Sequence, residues 1–312
     1  MRRYLFSRVG RALLTIWFTV SVVFFVTRLS GDPTVWLLPD DASPVERERL
    51  RSHLGLDQPL VVQYGAYWVK LVQGDLGKSF YHNKPVVQLY FEYFPATLSL
   101  AVLAFGLALA VGIPAGVVAG IRRNSAYDRL LISASIAGHT TPNFVLAILM
   151  ILIFSLNLRL LPSSGIGGLL NYVMPVIALS VSPASSFARL SRSSILDVLG
   201  QDYMTSARAK GAPEFSVIVK HGLRNALIPI ITIIGLQVGA LMGGSVVVET
   251  VFGWPGVGGL IVRAAEKRDY PLLQFGVLFI AFITVTINSL VDIGYAVLDP
   301  RIRFGQGQKQ ED

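Results

Sequence analysis

Six stretches of this chain contain no Asp, Glu, Lys or Arg, and their lengths restrict what it can fold into. They cover residues 12–27, 97–121, 130–158, about 172–188, 225–248 and 270–291. A helix of about 20 apolar residues crosses the hydrocarbon layer of a bilayer. The first stretch is short, but Arg11 and Arg28 at its ends can snorkel to the interface. The fourth is interrupted by Pro175 and Pro183 and is rich in Ser, and without it five spans remain. In lipid every backbone polar group must be satisfied internally, so helices or a closed barrel are the available solutions. The short alternating segments of a barrel are absent, and the expected fold class is an all-α membrane protein with six transmembrane helices. Composition agrees: 15% of the 312 residues are charged, against about a quarter in soluble domains. With no cysteine, thiol nucleophiles, disulfides and thiolate metal sites are excluded.

Six spans put both termini on one side, together with residues 121–129 and 189–226. That side carries sixteen basic and seven acidic residues, and the other carries eleven of each. Basic residues near span ends face the cytoplasm, so both termini are expected there. The net charge of +8 is thus a topology signal rather than a nucleic-acid footprint. Arg2 and Arg3 precede the first span without a small-residue cleavage site after it, which predicts an uncleaved signal-anchor.

The segment 30–95 is the one sizeable polar region outside the cytoplasm and is expected to form a small cap. A helix is predicted over 44–54. An amphipathic one follows over 61–72, with Val61, Tyr64, Gly65, Trp68, Val69 and Val72 at helical spacing. Tyr64, Tyr67 and Trp68 suit the membrane interface. Gly74-Asp75-Leu76-Gly77-Lys78-Ser79 ends like a phosphate-binding loop. The required glycine five residues before Gly77 is Val72, so nucleotide binding is not expected. His53, His82, His139 and His221 are scattered without ligand spacing, and no catalytic, metal or cofactor pattern emerges.

Within the spans, ionisable residues are scarce: Asp292 lies in the last and Glu249 at an outer end. Ion-coupled transporters use buried carboxylates or broken helices to bind the driving ion, so this scarcity disfavours that class. His139 adjoins Thr140, Thr141 and Pro142, where Thr hydroxyls are expected to satisfy carbonyls freed by the proline. Glycine recurs every fourth residue at Gly112, Gly116 and Gly120, and again at Gly235, Gly239 and Gly243. Such faces let helices pack closely within a subunit, or against a partner.

The loop 189–226 is longer than a helix connection requires. A short helix is predicted over 202–210, capped by Asp202, stopped by Gly211 and barred from continuing by Pro213. A second helical stretch follows, with Phe215, Ile218, Val219 and Leu223 as its apolar face. Together they form an exposed knob suited to another protein's grip.

Tyr203-Met204-Thr205-Ser206-Ala207-Arg208-Ala209-Lys210-Gly211-Ala212, followed by Arg224-Asn225-Ala226-Leu227-Ile228-Pro229, resembles the Glu-Ala-Ala-type cytoplasmic loop of ABC-importer permeases. Thr205-Ser206-Ala207 stand at the Glu-Ala-Ala positions, and Gly211 matches the family's glycine. The missing Glu and longer spacing to Pro229 look like the peptide/nickel branch. So do Leu54-Gly55-Leu56-Asp57-Gln58-Pro59-Leu60, Gly74-Asp75-Leu76-Gly77-Lys78-Ser79, Glu249-Thr250-Val251-Phe252-Gly253-Trp254-Pro255-Gly256-Val257-Gly258 and Leu298-Asp299-Pro300-Arg301. The chain is similar to the dipeptide/oligopeptide permease with the larger extracytoplasmic insertion.

The resemblance implies a type I importer fold in a bacterial or archaeal inner membrane. Residues 1–29 would be the cytoplasmic N-terminus and first span, 30–95 the insertion, 96–303 the transmembrane core and 304–312 a cytoplasmic tail. It further implies a second related permease, two cytoplasmic ATPase subunits that hydrolyse the ATP, and an extracytoplasmic substrate-binding protein. Tyr203, Thr205, Ser206, Ala207, Arg208, Gly211 and Ala212 would couple the permease to the ATPase. The implied cargo is short peptides moved inward by alternating access. Nickel complexes, glutathione and oligosaccharides are alternatives on the same machine, and the residues lining the path stay unassigned.

Overall fold

The computed structural model describes residues 2–39 and 41–298. Asp299-Pro300-Arg301 and the 304–312 tail lie outside the described residues, as do the side chains of Phe215, His221, Arg224, Leu227, Ile228, Pro229 and Asp292 and the surroundings of Gly235. The described chain is helical. Its elements are α1 (Arg2–Leu29), α2 (Thr34–Leu37), α3 (Pro44–His53), α4 (Leu60–Val72), α5 (Val86–Ile121), α6 (Ala126–Thr140) and α7 (Asn143–Met150). After a π-helical stretch over Ile151–Asn157 come α8 (Leu169–Leu199), α9 (Asp202–Ala209) and α10 (Glu214–Ser216). A second π-helical stretch, Val217–Leu223, leads into α11 (Arg224–Val251), α12 (Val257–Glu266) and α13 (Tyr270–Leu298).

Among the described residues four helices are long and apolar enough to cross a membrane: Gly10–Leu29, Val86–Ile121, Leu169–Leu199 and Tyr270–Val291. The stretch 130–158, expected as one span, is bent. Ala126–Thr140 and Asn143–Asn157 meet at 100°, and together they make a fifth candidate span. The break falls at Thr141–Pro142, where the proline cannot continue the ladder. Thr141 Oγ1 donates to the Ala137 carbonyl at 2.7 Å, which also accepts the Thr141 N–H, and Thr140 Oγ1 donates to Ile136 at 3.0 Å. Both hydroxyls therefore bond back into the preceding turn and not to Gly138, the carbonyl that the proline leaves without its helical donor. The remaining charge-free stretch lies in α11, a continuous helix of 28 residues.

The chain divides into two compact units. The first comprises residues 1–96 and 255–285. Its core joins Val86, Leu89 and Tyr90 of α5 to Val257, Leu260 and Ala264 of α12 and Leu272 and Phe275 of α13. Tyr90 Oη donates to the Leu272 carbonyl at 2.9 Å, so the phenol is buried with a partner. The phosphate-loop look-alike has a structural task. Gly74 and Gly77 adopt positive φ, and Ser79 Oγ donates to the buried Asp269 carboxylate at 2.6 Å. The same carboxylate accepts from the Leu272 N–H at 3.3 Å, which caps α13.

In this unit α3 starts at a capping box: Ser43 Oγ accepts from the Glu46 N–H, and the Glu46 carboxylate accepts from the Ser43 N–H. Those bonds pull the Glu46 carboxyl below its usual range. The amphipathic face of α4 differs from expectation. Val61, Val69 and Val72 are exposed, whereas Gln63, Tyr64, Tyr67, Trp68 and Leu71 are half-buried. Aromatic contact decides this. Tyr64 and Tyr67 lie against Phe24 of α1, with centroids 5.3 and 5.4 Å away, and Ser21 hydrogen-bonds Tyr64 at 2.7 Å.

The second unit comprises residues 97–254 and 286–312. Its centre is α8, uninterrupted despite Pro175 and Pro183. Hydroxyls of Ser180, Ser185 and Ser186 bond back within the helix to carbonyls at Ile177, Val181 and Ser182. A Cβ on Gly112, Gly116 or Gly120 would fall 2.5, 2.2 or 2.9 Å from Ala184 O, Ala188 O or Ile195 Cγ2. This face is therefore a packing seam between α5 and α8 inside the chain. The other glycine row is less uniform: a Cβ on Gly239 would meet Asn288 at 2.8 Å, and one on Gly243 nothing within 4 Å. Glu249 is buried and accepts from Thr97 Oγ1 at 2.7 Å. Trp254, also buried, lies edge-on to Tyr172 at 4.6 Å. Thus Glu249, Phe252 and Trp254 of the recognisable motif are buried.

Candidate functional site

The expected 189–226 loop is partly regular helix. Residues 189–199 continue α8, and α11 begins at Arg224. Arg189 Nη1 donates to the Ser135 carbonyl at 2.8 Å, and Arg192 grips the buried Asp128 with two nitrogens. These bonds tie the end of α8 to α6. The segment between α8 and α11 is the knob itself.

The knob starts with α9. Asp202 was expected to cap it, but Gln201 occupies the N-cap without a side-chain bond, and Asp202 lies in the first turn. There its charge favours the helix dipole. The helix ends in a Schellman turn. The Ala212 N–H reaches the Ala207 carbonyl at 3.4 Å and the Gly211 N–H reaches Arg208 at 2.9 Å. Such a turn needs a left-handed residue just past the cap, and Gly211 supplies it with φ +77°.

Three contacts fix the knob. Met204, fully buried, is its anchor: a Cβ on Gly222 would stand 3.3 Å from the Met204 methyl. Asn225 Nδ2 donates to Tyr203 Oη at 3.1 Å and joins α9 to the start of α11. Arg208 Nε and Nη2 donate to the two Glu214 oxygens at 3.1 and 2.9 Å, bridging the Gly211 turn. The hydrogen bonds from Arg208 pull the Glu214 carboxyl below its usual range. The pair therefore persists into moderate acid and loosens only when pH falls through that lowered value.

After the turn the expected apolar face is met in part: Ile218 and Leu223 are half-buried. Val219 was expected inward and is 40% exposed, whereas Val217, Gly222, Ala226 and Ile230 are buried. The cause is the π-helical stretch, whose wider turn separates the first two buried positions by five residues instead of four.

The expected coupling residues do not share one face. Tyr203, Thr205, Ser206, Arg208 and Gly211 are exposed, while Ala207 and Ala212 are half-buried. Ala207 follows Met204 by three residues and lies on the same side, toward the chain. The outward surface is made by Tyr203, Thr205, Ser206, Ala209 and Lys210, ending at Gly211. A reading centred on family positions missed Met204. Its signal was available: it is the one large aliphatic side chain in an otherwise polar or small-residue helix. The outward face is mostly polar, with the Tyr203 ring at one end.

The model of the family described as "binding-protein-dependent transport system inner membrane component" matches residues 112–304. The model for the N-terminal part of such membrane components matches residues 1–101. The chain is 41% identical over 313 residues to a protein of Brucella abortus (strain 2308) provisionally named a peptide transport system permease, covering 97% of this chain and 100% of that one. It is equally, 41%, identical over 305 residues to the glutathione transport system permease protein GsiC of Escherichia coli (strain K12), with the same coverage. Among solved structures, the inward-facing MetNI methionine ABC transporter superposes with a TM-score of 0.57 at 18% identity, over 69% of this chain and 98% of that one. That likeness concerns the fold.

Proposed function

Because this chain belongs to the binding-protein-dependent transport system inner membrane component family, we propose that it is a permease subunit of an ATP-driven importer for short peptides. It spans the membrane several times. A second related permease shares the path, an extracytoplasmic binding protein delivers cargo, and two cytoplasmic ATPase subunits supply the energy. ATP hydrolysis belongs to those subunits. The outward face of α9 receives their motion. The observation that carries the cargo assignment is the full-length match to permeases named for peptide and glutathione transport. Since those two matches are equally close, glutathione is the specific alternative cargo.

The test is uptake by proteoliposomes holding the complete complex. Labelled dialanine should enter only with the binding protein and ATP, and excess glutathione should compete weakly. Uptake of glutathione but not dialanine would replace the cargo; uptake without the ATPases would remove the mechanism.

The charge asymmetry of the sequence supports a topology with both termini and α9 in the cytoplasm and segment 30–95 outside. The chain has no native cysteine, so single introduced ones report cleanly. Cysteines at Ser43 and Asn83 should react with an impermeant thiol reagent on intact cells. Those at Ser125 and Ser206 should react only after the cells are opened. Labelling of position 206 from outside would invert the assignment.

A further inference from the structure

The first unit contains a cavity of about 790 Å³, walled by the end of α1, by α4, by the loop carrying Gly77 and by the start of α13. Its permanently charged lining is unbalanced: Arg28, Lys70 and Lys78 stand against Asp75 alone. Asp75 is partly committed, since its Oδ1 accepts the Gly77 N–H at 3.1 Å. Arg28 is the unusual member. Its guanidinium carbon lies 5.3 Å from the Phe24 ring centroid and 5.2 Å from that of Tyr270. Its Nε is buried without a hydrogen-bond partner. Among the described residues no carboxylate pairs with it; the nearby Asp32 accepts from Thr34 and lies 3.8 Å from Arg51. Aromatic faces hold a cation but leave its in-plane donors unused. The same wall holds an unused acceptor: Gln63 donates through Nε2 to the Leu56 and Gln58 carbonyls, while its buried Oε1 has no partner. Burial pushes the Tyr67 phenol up to about 12, so that neighbour stays neutral.

We propose that this cavity binds a small oxyanion on Arg28. A guanidinium offers a planar fork that matches a carboxylate or a phosphodiester. A half-buried guanidinium held by two rings but lacking an anion is the half of such a pair that the chain itself supplies. Two sources carry that chemistry: the terminal carboxylate of a short peptide, and the phosphodiester of an anionic lipid. On the proposed orientation Arg28 stands at the outer end of the first span, where either can arrive. This inference deepens the importer reading and rests on it for the choice of sources.

The full chain, purified in a maltoside detergent that carries no phosphate, is titrated with dialanine and with dialanine amide. In parallel it is titrated with short-chain phosphatidylglycerol. Binding should be weak, in the millimolar range expected for one such contact. If the peptide is the source, dialanine binds and its amide does not. If the lipid is the source, phosphatidylglycerol binds instead. In either case Arg28→Gln should weaken binding at least tenfold and Arg28→Lys should restore part of it, with unchanged thermal unfolding of both variants. Equal binding of dialanine and its amide together with no effect of Arg28→Gln on the lipid would overturn the proposal, as would no binding of either. Because the readout is binding by this chain alone, it can fail while the complete importer still transports peptides. Conversely, oxyanion binding can persist in a complex that carries a different cargo.

Discussion

Gly116→Ala is expected to destabilise the chain severely, although it adds one methyl group. A Cβ there would fall 2.2 Å from the Ala188 carbonyl oxygen and 2.9 Å from the Ala188 Cα. Both obstacles are backbone atoms of α8, so no side-chain rotation relieves the overlap and the two helices must separate. Separation would loosen the neighbouring approaches at Gly112 and Gly120 on the same seam. Overpacking of this kind typically costs about 1–3 kcal/mol, and more where the backbone must move; here about 3 kcal/mol or more is expected. A control lies in the same helix. Gly106→Ala adds a methyl that meets nothing within 4 Å, and alanine is the better helix former by about 1 kcal/mol. In detergent, the apparent melting temperature should fall by many degrees for Gly116→Ala and hold or rise for Gly106→Ala. Gly116→Leu should yield little folded protein. Equal melting of the two alanine variants would show that α5 and α8 do not meet at this seam.

Features whose cause is local in the chain were legible beforehand. Missing charge marked the spans, because an unpaired charge in lipid is costly wherever it sits. The glycines at 112, 116 and 120 announced a close seam, since only the lack of a Cβ allows one. Gly211 and Pro213 announced the end of α9 for a similar reason. Features that depend on how one turn differs from the next were not legible. The 100° bend at Thr141–Pro142 leaves hydropathy unchanged, so the stretch 130–158 read as one span without its angle. The π-helical stretch at Val217–Leu223 keeps every residue helical but widens the turn, so Val217 and Gly222, five residues apart, are buried while Val219 is exposed. The buried anchor Met204 was overlooked because the family pattern pointed to its neighbours. On α4 the aromatic contacts with Phe24, invisible without the fold, outweighed the valines.

The largest functional effect is expected at Gly211, and the structure makes it separable from a folding defect. With φ +77°, any side chain there pays the left-handed penalty of about 1–2 kcal/mol. Alanine and tryptophan pay it alike. Beyond that, a Cβ at Gly211 meets nothing within 4 Å of this chain. Any further difference between Gly211→Ala and Gly211→Trp must therefore come from something seated against the outward face of α9. If an ATPase subunit seats there, with the Tyr203 ring as its aromatic anchor, tryptophan should abolish ATPase co-purification and ATP-driven uptake. Alanine should reduce both only a few-fold. Lys210→Ala should be mild, since an exposed charge at a rim contributes about 0–1 kcal/mol. Met204→Ala should lower both readouts by another route, because emptying the buried anchor unseats α9 as a whole. That variant should also release the Tyr203–Asn225 bond, now 3.1 Å, and make a cysteine at Ser206 more reactive in the opened cell. Gly211→Trp should leave that reactivity unchanged when the ATPases are absent. Equal recovery of the ATPases with Gly211→Ala and Gly211→Trp would mean that the outward face is bare in the working complex and that coupling enters elsewhere.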